Sequence, residues 1–212
     1  MPRRERKGFR MAYFLGLTGN IASGKTTIGL MLLELGAALY CDADLVVHEL
    51  YLPGQPLVEP LVREFGESIR GADGGIDRRA LGQLVFGDPA RMRRLESIVH
   101  PTVQSALLAR MRVVPEGGVG VLDAVKLVES GYAALGHGLW IVTCPRAEQL
   151  RRLTELRGLS AAEAEARLAS QPPIEPKLAL ASAVIDNSGS LDDLRRQVTA
   201  AWQQFRASLP HD

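Results

Sequence analysis

The sequence predicts an α/β fold in which a five-stranded parallel sheet lies between layers of helices, a three-layer α/β/α arrangement. Three observations favour this class. Short apolar segments typical of buried strands alternate with segments of helical periodicity. A glycine-rich turn follows the first strand and leads directly into the first helix. About 75 residues without strand character separate the second strand from the third, which indicates a helical insertion.

The predicted strands are short apolar runs that end at polar or turn-forming residues. Gly36 follows the first helix as a C′ residue, and Pro145 is expected at position N1 of the helix after the fourth strand. Ser190 is a predicted N-cap, with Asp193 at N3 of the last helix. The predicted strands cover residues 12–17, 38–41, 119–123, 139–143 and 183–186, and core helices cover residues 26–35 and 190–208.

The insertion is predicted to contain four helices. Asp77 and Asp88 are expected to cap two of them, because an Asp side chain accepts hydrogen bonds from the first free amides of a helix. A break is expected at His100, because a residue that precedes proline disfavours helical geometry and Pro101 follows. The predicted helices cover residues 56–65, 78–86, 89–99 and 101–112.

A second irregularity covers residues 151–171. Ser160 and Glu163 form a predicted capping box, and the helix after them is small and polar, with little to bury. Such a helix is typical of a mobile lid rather than of a core element.

Composition and charge exclude several classes of protein. A hydrophobic content of 46% argues against disorder, and no apolar run approaches the roughly 18 residues of a membrane span. Cys41 and Cys144 are too few for a disulfide scaffold, which favours a reducing cytoplasm. The net charge of +1 combines a net +4 in residues 1–10 with a net −3 in the rest. Such a basic arm could contact nucleic acid or lipid, but we expect a disordered tail.

The turn after the first strand matches the P-loop pattern G-x-x-x-x-G-K-T from Gly19 to Thr26, in the required context of strand and helix. Its glycines allow torsions that direct successive N–H groups to phosphate oxygens. Lys25 is expected to reach the β- and γ-phosphates, and the Thr26 hydroxyl to ligate Mg²⁺. We expect ATP to be bound by Asn20, Ile21, Ala22, Ser23, Gly24, Lys25, Thr26 and Thr27.

A P-loop does not identify the reaction, but neighbouring motifs narrow it. The chain lacks the N-K-x-D motif with which GTPases read guanine, so kinases of small molecules and nucleotides remain. Asp42 and Asp44 follow the second strand, where one carboxylate could hold Mg²⁺ and the other could accept a proton from the attacking hydroxyl. Alternatively, Asp42 caps the next helix and Asp44 is a first-turn acid. Asp123, which ends the third strand, could orient a Mg²⁺-bound water or cap the next segment.

Several longer motifs together resemble one family. They are I-D-R-R-A-L from residue 76, L-E-S-I-V-H-P from residue 95, L-V-E-S-G from residue 127 and V-I-D-N-S-G from residue 184. With these and the P-loop, the chain resembles the dephospho-CoA kinase family from residue 12 to residue 205. The resemblance implies a P-loop NTPase-type core with a helical CoA-side domain and a lid. It also implies phosphoryl transfer from ATP to the 3′-hydroxyl of dephospho-CoA.

The resemblance implies roles for the matching residues. Asp44 matches the family's proposed base, which leaves Asp42 with Thr26 for Mg²⁺. Asn187 falls near the adenine, and Lys25 and the lid arginines Arg152 and Arg157 are expected at the phosphates. The acceptor is expected to contact Thr18, Asp42, Arg78, His100, Leu127 and Glu129.

Two segments depart from the family pattern. Residues 125–129 are V-K-L-V-E where the family usually has P-L-L-F-E, which adds a charge at Lys126. In the lid, the family usually has Arg, then Asp or Asn, then Gly, whereas this chain has Leu156-Arg157-Gly158. The arginine has moved by one place, about 100° around a helix. Whether Arg152 or Arg157 contacts the phosphates is therefore left open.

The predicted organisation follows from these motifs. It consists of a basic arm at residues 1–10, a P-loop core at residues 11–44, 115–150 and 172–212, a helical acceptor domain at residues 45–114 and a lid at residues 151–171. We expect ATP, Mg²⁺ and dephospho-CoA as ligands, no nucleic acid or membrane partner, and a monomer or weak oligomer in the cytoplasm. The alternatives are a P-loop kinase of another small acceptor, such as shikimate or gluconate, and a non-catalytic nucleotide-binding regulator.

Overall fold

The computed structural model describes residues 12–210, so the predicted basic arm at residues 1–10 lies outside the described residues. The chain forms two compact units. One contains the described residues up to Tyr40 and those from Val114 onward, and the other contains Cys41–Val113. Within the described range, no helix is both long enough and apolar enough to cross a bilayer.

A five-stranded sheet has the strand order β2-β3-β1-β4-β5. Its strands are β1 (Tyr13–Gly19), β2 (Leu39–Asp42), β3 (Val119–Asp123), β4 (Gly138–Thr143) and β5 (Ala183–Asp186). β1 pairs in parallel with β3 and β4, and β4 pairs in parallel with β5. The strands are apolar throughout because a parallel sheet is covered on both faces. The predicted α/β fold with a five-stranded parallel sheet is confirmed.

Most predicted helices are present, a further helix follows β2, and five of the nine helices in the described residues begin at a side-chain cap. The helices are α1 (Lys25–Glu34), α2 (Ala43–Leu50), α3 (Val58–Phe65), α4 (Arg78–Val85), α5 (Pro89–Met111), α6 (Arg146–Arg151), α7 (Ala161–Ala169), α8 (Glu175–Leu178) and α9 (Leu191–Ser208). Pro145 is the N-cap of the helix after β4 and not, as was predicted, its N1 residue. Asp77 and Asp88 cap α4 and α5, as predicted. The predicted capping boxes that begin at Ser160 and Ser190 are also present, at α7 and α9.

The core of the first unit fixes the end of β1, from which the P-loop emerges. Leu15 and Leu17 of β1 and Trp140 of β4 are buried together with Ile28 of α1 and Trp202 of α9. Burial of such side chains stabilises a fold by about 1.5–3 kcal/mol each. The strand and the helix on either side of the P-loop therefore both belong to this rigid core.

The predicted helix break before Pro101 is wrong, because α5 is one helix that runs through it. A proline inside a helix removes one backbone hydrogen bond and costs about 3 kcal/mol. The helix continues because Val99, Val103 and Leu107 are buried at a spacing of four residues on both sides of the proline. His100 therefore lies within α5 and is exposed.

The predicted lid segment buries more than its composition indicated. Ala164 and Leu168 of α7 are buried in an apolar cluster with Leu153 and with Ala22 of the P-loop. Their spacing of four residues places both side chains on one face of the helix, so a short Ala- and Glu-rich helix still has an apolar face. Between α6 and α7 the backbone forms a π-helical turn over Arg152–Leu156, a feature frequent at functional sites.

Candidate active site

The P-loop connects β1 to α1 and leaves the beginning of α1 open. Gly24, the N-cap residue, has a φ of 99° and makes no side-chain cap. A Cβ atom at this position would lie 2.0 Å from Asn187 Nδ2, so the site requires glycine for both torsion and space. Free amides and the positive end of a helix dipole attract phosphate groups. The geometry is that of a phosphate-binding site.

Ala22 is in a strained conformation. Its φ of 58° makes it the one non-glycine residue with positive φ in the described part of the chain. A left-handed torsion costs an L-residue about 1–2 kcal/mol. The apolar cluster around Leu153 and Leu168 encloses the Ala22 side chain and holds this conformation. Such strain is characteristic of ligand-binding loops.

Polar side chains hold the backbone groups of the P-loop that face the protein. Gln149 Nε2 donates to the Ile21 carbonyl at 3.0 Å, and the Ile21 amide donates to Gln171 Oε1 at 3.1 Å. Arg152 donates to the Ala22 and Ser23 carbonyls at 3.2 and 3.3 Å. The buried Asn187 carboxamide donates to the Ser23 carbonyl at 2.7 Å. These four side chains therefore fix the P-loop backbone from Ile21 to Ser23.

Three predicted nucleotide contacts are used differently in this structure. The Ile21 amide is occupied by Gln171 rather than open to phosphate. The Asn187 side chain holds the P-loop and is not presented to a base. The Arg152 guanidinium bonds to P-loop carbonyls, to the Asn187 carbonyl at 3.1 Å and to Glu148 at 2.8 Å. These side chains therefore hold the P-loop backbone, and Arg152 and Asn187 also line the cleft beside it.

A buried carboxylate lies beside the P-loop lysine. Lys25 Nζ is 3.9 Å from Asp123 Oδ1, and the Tyr40 hydroxyl donates to Asp123 Oδ2 at 2.7 Å. Asp123 is only 2% exposed. The Tyr40 ring occupies the space next to α1, where a Cβ atom at Gly29 would lie 2.2 Å from the ring. Asp123 is thus oriented toward Lys25, a contact that the sequence did not predict.

An open cleft of about 440 Å³ adjoins the P-loop. Lys25, Thr26, Thr27, Arg157, Gly189 and Leu191 are among its lining residues. Arg157 is exposed, and no hydrogen bond or ion pair joins its guanidinium to another described residue. Of the two predicted lid arginines, Arg157 therefore has a guanidinium available for a ligand, whereas that of Arg152 is already bonded.

The charges around Arg152 form a small network on α6 and the π turn. Glu148 accepts hydrogen bonds from Arg151 at 2.7 Å and from Arg152 at 2.8 Å. These two bonds, that from Arg151 first, lower the pKa of Glu148 to about 2. Glu148 therefore stays ionised and keeps Arg152 in place at neutral pH.

Three of the predicted acceptor residues are Thr18 of β1 and Leu127 and Glu129 of the segment after β3. The Thr18 hydroxyl is fully buried and donates to the Ala124 carbonyl at 2.8 Å. The Leu127 side chain is also fully buried, and Glu129 pairs with Lys177 at 3.0 Å. In this structure the side chains of Thr18 and Leu127 hold the segment and are not presented to solvent.

The other predicted site residues belong to the second unit. Asp42 caps α2, since its Oδ1 accepts from the amides of Asp44 at 2.9 Å and Leu45 at 3.3 Å. The structural alternative for Asp42 is thus realised, although a carboxylate that caps through one oxygen can bind a cation with the other. Asp44 lies in the first turn of α2, and Arg78 is the exposed first residue of α4. His100 lies on α5.

The sequence analysis predicted no site role for four residues that make contacts beside the P-loop or the segment after β3: Tyr40, Gln149, Gln171 and Lys177. Lys177 is only 3% exposed and donates to the Val125 carbonyl at 2.8 Å. Its rarity was a usable signal, because the chain has four lysines against 21 arginines. The two glutamines gave no such signal, because their partner Ile21 is 128 and 150 residues away.

Comparison with known proteins identifies the family. The dephospho-CoA kinase family model matches residues 13–193. The chain is 47% identical over 191 residues to a dephospho-CoA kinase of Symbiobacterium thermophilum, covering 89% of this chain and 80% of that one. TT1252 from Thermus thermophilus, a solved structure, has a TM-score of 0.79 at 36% identity and covers 91% of this chain and 97% of its own.

The dephospho-CoA kinase from Campylobacter jejuni has a TM-score of 0.60 at 26% identity, covering 92% of this chain and 97% of that one. The family match spans both compact units and includes the P-loop, Asp44 and Arg157. The chain belongs to the dephospho-CoA kinase family.

Proposed function

We propose that this protein transfers the γ-phosphoryl group of ATP to the ribose 3′-hydroxyl of dephospho-CoA, giving coenzyme A and ADP. One observation carries the proposal: in a chain of this family, an uncapped helix begins at a glycine turn, with Lys25 beside the buried Asp123. This arrangement supports binding of a nucleoside triphosphate and stabilisation of the charge that develops during phosphoryl transfer.

The phosphates are bound by the amides at the start of α1, by Lys25 and by Arg157. The acceptor 3′-oxygen forms a bond to the γ-phosphorus while the bond from that phosphorus to the β,γ-bridging oxygen breaks. The hydroxyl proton passes to the Asp44 carboxylate, and ADP leaves. Arg78, His100 and Glu129 are the proposed acceptor contacts, with Thr18 and Leu127 supporting the segment after β3. Catalysis of this type rests mainly on positioning and electrostatics.

The donor set fits Mg²⁺. Hydroxyl and carboxylate oxygens are the protein ligands that this ion prefers, and Thr26 and Asp123 supply both types in the first unit. Thr26 and Asp123 would hold the ion, directly or through water. When bound, Mg²⁺ neutralises charge on the β- and γ-phosphates.

The proposed substrates are both polyanions, although the chain outside residues 1–10 has a net charge of −3. Local groups, and not the overall charge, must therefore attract them. The helix N-terminus, Lys25 and Arg157 supply positive charge at the cleft. We further propose that the protein acts in the cytoplasm as a monomer or weak oligomer, without a nucleic acid or membrane partner.

An acceptor panel tests the proposal. ADP release is measured with Mg·ATP and either dephospho-CoA, shikimate, gluconate or no acceptor. We expect acceptor-dependent release with dephospho-CoA alone. Release with shikimate or gluconate instead would favour another small-molecule kinase, and nucleotide binding without release would favour a regulator.

A further inference from the structure

Side chains of α6 and of the predicted lid segment, residues 151–171, bond to the backbone of the P-loop. When the amides of a loop converge on a phosphate site, its carbonyls turn the other way and need donors of their own. The carbonyls of Ile21, Ala22 and Ser23 all receive such donors from side chains. Leaving a buried carbonyl without a partner costs about 1–3 kcal/mol, so these donors stabilise the loop in its binding conformation.

Two glutamines bond to opposite sides of one P-loop residue. Gln149, two positions before residue 151, donates to the Ile21 carbonyl, and Gln171, the last lid residue, accepts from the Ile21 amide. Gln149 is only 7% exposed, so its carboxamide is committed to this contact. The next residue, Ala22, packs against Leu153 and Leu168 from the same segment. Side chains of α6 and of the lid segment therefore contact both Ile21 and Ala22 of the P-loop.

We propose that Gln149 and Gln171 are positioning residues for the phosphate-binding conformation of the P-loop and that they couple the lid segment to nucleotide affinity. They do not touch the nucleotide; they fix Ile21 and, through it, the strained Ala22. The inference rests on the proposed function only in so far as the P-loop binds nucleotide phosphates. The identity of the acceptor does not affect it.

A matched control separates positioning from general stability. Ser182 makes the same kind of paired contact with one backbone residue, since its hydroxyl donates to the Leu139 carbonyl and accepts from the Leu139 amide, both at 3.0 Å. That contact is at the beginning of β4, whereas the P-loop follows the carboxyl end of β1. Ser182→Ala therefore removes two side-chain hydrogen bonds at the opposite end of the strands, while the Ser182 amide still donates to the Leu139 carbonyl at 2.8 Å.

The experiment measures the Kd of ADP by calorimetry for wild type, Gln149→Leu, Gln171→Leu and Ser182→Ala, with the urea midpoint of each. We expect the Kd to rise about tenfold in each glutamine variant, the equivalent of one hydrogen bond, and to stay within about twofold in Ser182→Ala. The KM for dephospho-CoA should be unchanged. Wild-type ADP affinity in both folded glutamine variants would overturn the proposal.

A second measurement does not depend on the variants folding. Amide hydrogen exchange at Ile21 in the nucleotide-free wild-type protein should be slowed by the bond to Gln171. Exchange at the rate of an unprotected amide would contradict the proposal. If dephospho-CoA proves not to be the acceptor, the ADP affinities and the exchange rate still decide this inference separately.

Discussion

Replacing Gly24 by alanine should disrupt the phosphate cradle far more than the same change at Gly36. The two glycines have nearly the same φ, 99° and 98°. A Cβ atom at Gly24 would lie 2.0 Å from Asn187 Nδ2, whereas nothing lies within 4 Å of a Cβ atom at Gly36. The pair therefore separates the torsional cost of alanine from the cost of displacing a neighbour.

The magnitude follows from these contacts. Both variants carry the cost of a left-handed alanine, about 1–2 kcal/mol. Gly24→Ala must also move the Asn187 carboxamide from the Ser23 carbonyl, to which it donates at 2.7 Å. Arg152 still donates to that carbonyl at 3.3 Å, but the buried Asn187 carboxamide loses its acceptor, which costs about 1–3 kcal/mol more. We expect the free energy of unfolding to fall by about 2–5 kcal/mol in Gly24→Ala, about 1–3 kcal/mol more than in Gly36→Ala.

Urea denaturation with linear extrapolation measures both losses, and ADP binding is measured alongside. Gly36→Ala should bind ADP like the wild type, whereas Gly24→Ala should bind it weakly or not at all. Equal losses of stability in the two variants would refute the assignment of the additional cost to Asn187. Retained ADP affinity in Gly24→Ala would refute the geometry of the cradle.

Three further predictions concern acid–base chemistry and buried charge. Asp44→Asn should lower turnover by about 10²–10⁴-fold without weakening ADP binding, and near-normal turnover would exclude Asp44 as the base. Lys177→Met removes the bonds of the buried ammonium to the Val125 carbonyl and to Glu129 and should lower the free energy of unfolding by about 1–3 kcal/mol; an unchanged urea midpoint would contradict this role. Glu148 has its pKa lowered from 4.5 to about 2, so its ion pairs stabilise the fold fully above pH 4.5 and lose that effect as the pH falls toward 2. The difference in stability between wild type and Glu148→Gln should therefore be constant from neutral pH to about pH 5 and shrink below it; a difference that does not vary with pH would be inconsistent with this shift.

The parts of the fold that depend on local sequence could be predicted. Each strand of the parallel sheet is a short apolar run, and the P-loop motif is contiguous in the chain. The caps at Asp77, Asp88, Ser160 and Ser190 involve residues two or three positions away, so they too could be read directly from the sequence.

The parts that depend on tertiary contacts could not be predicted. α5 continues through Pro101 because burial on both sides of it outweighs the local preference. Arg152 was expected at the phosphates, but only the folded structure shows its bonds to the Ala22 and Ser23 carbonyls. The buried Thr18 hydroxyl likewise donates to a carbonyl 106 residues away in the sequence, a contact that no local pattern indicates.

Identification of the product tests the central claim most directly. The full chain is incubated with Mg·ATP and dephospho-CoA, and the products are analysed by mass spectrometry and ³¹P NMR. We predict a ribose 3′-phosphomonoester on the CoA skeleton, formed in equal amount to ADP and absent when Lys25→Met replaces the wild type. ADP formation without that phosphomonoester, or its formation at an undiminished rate by Lys25→Met, would contradict the proposed function.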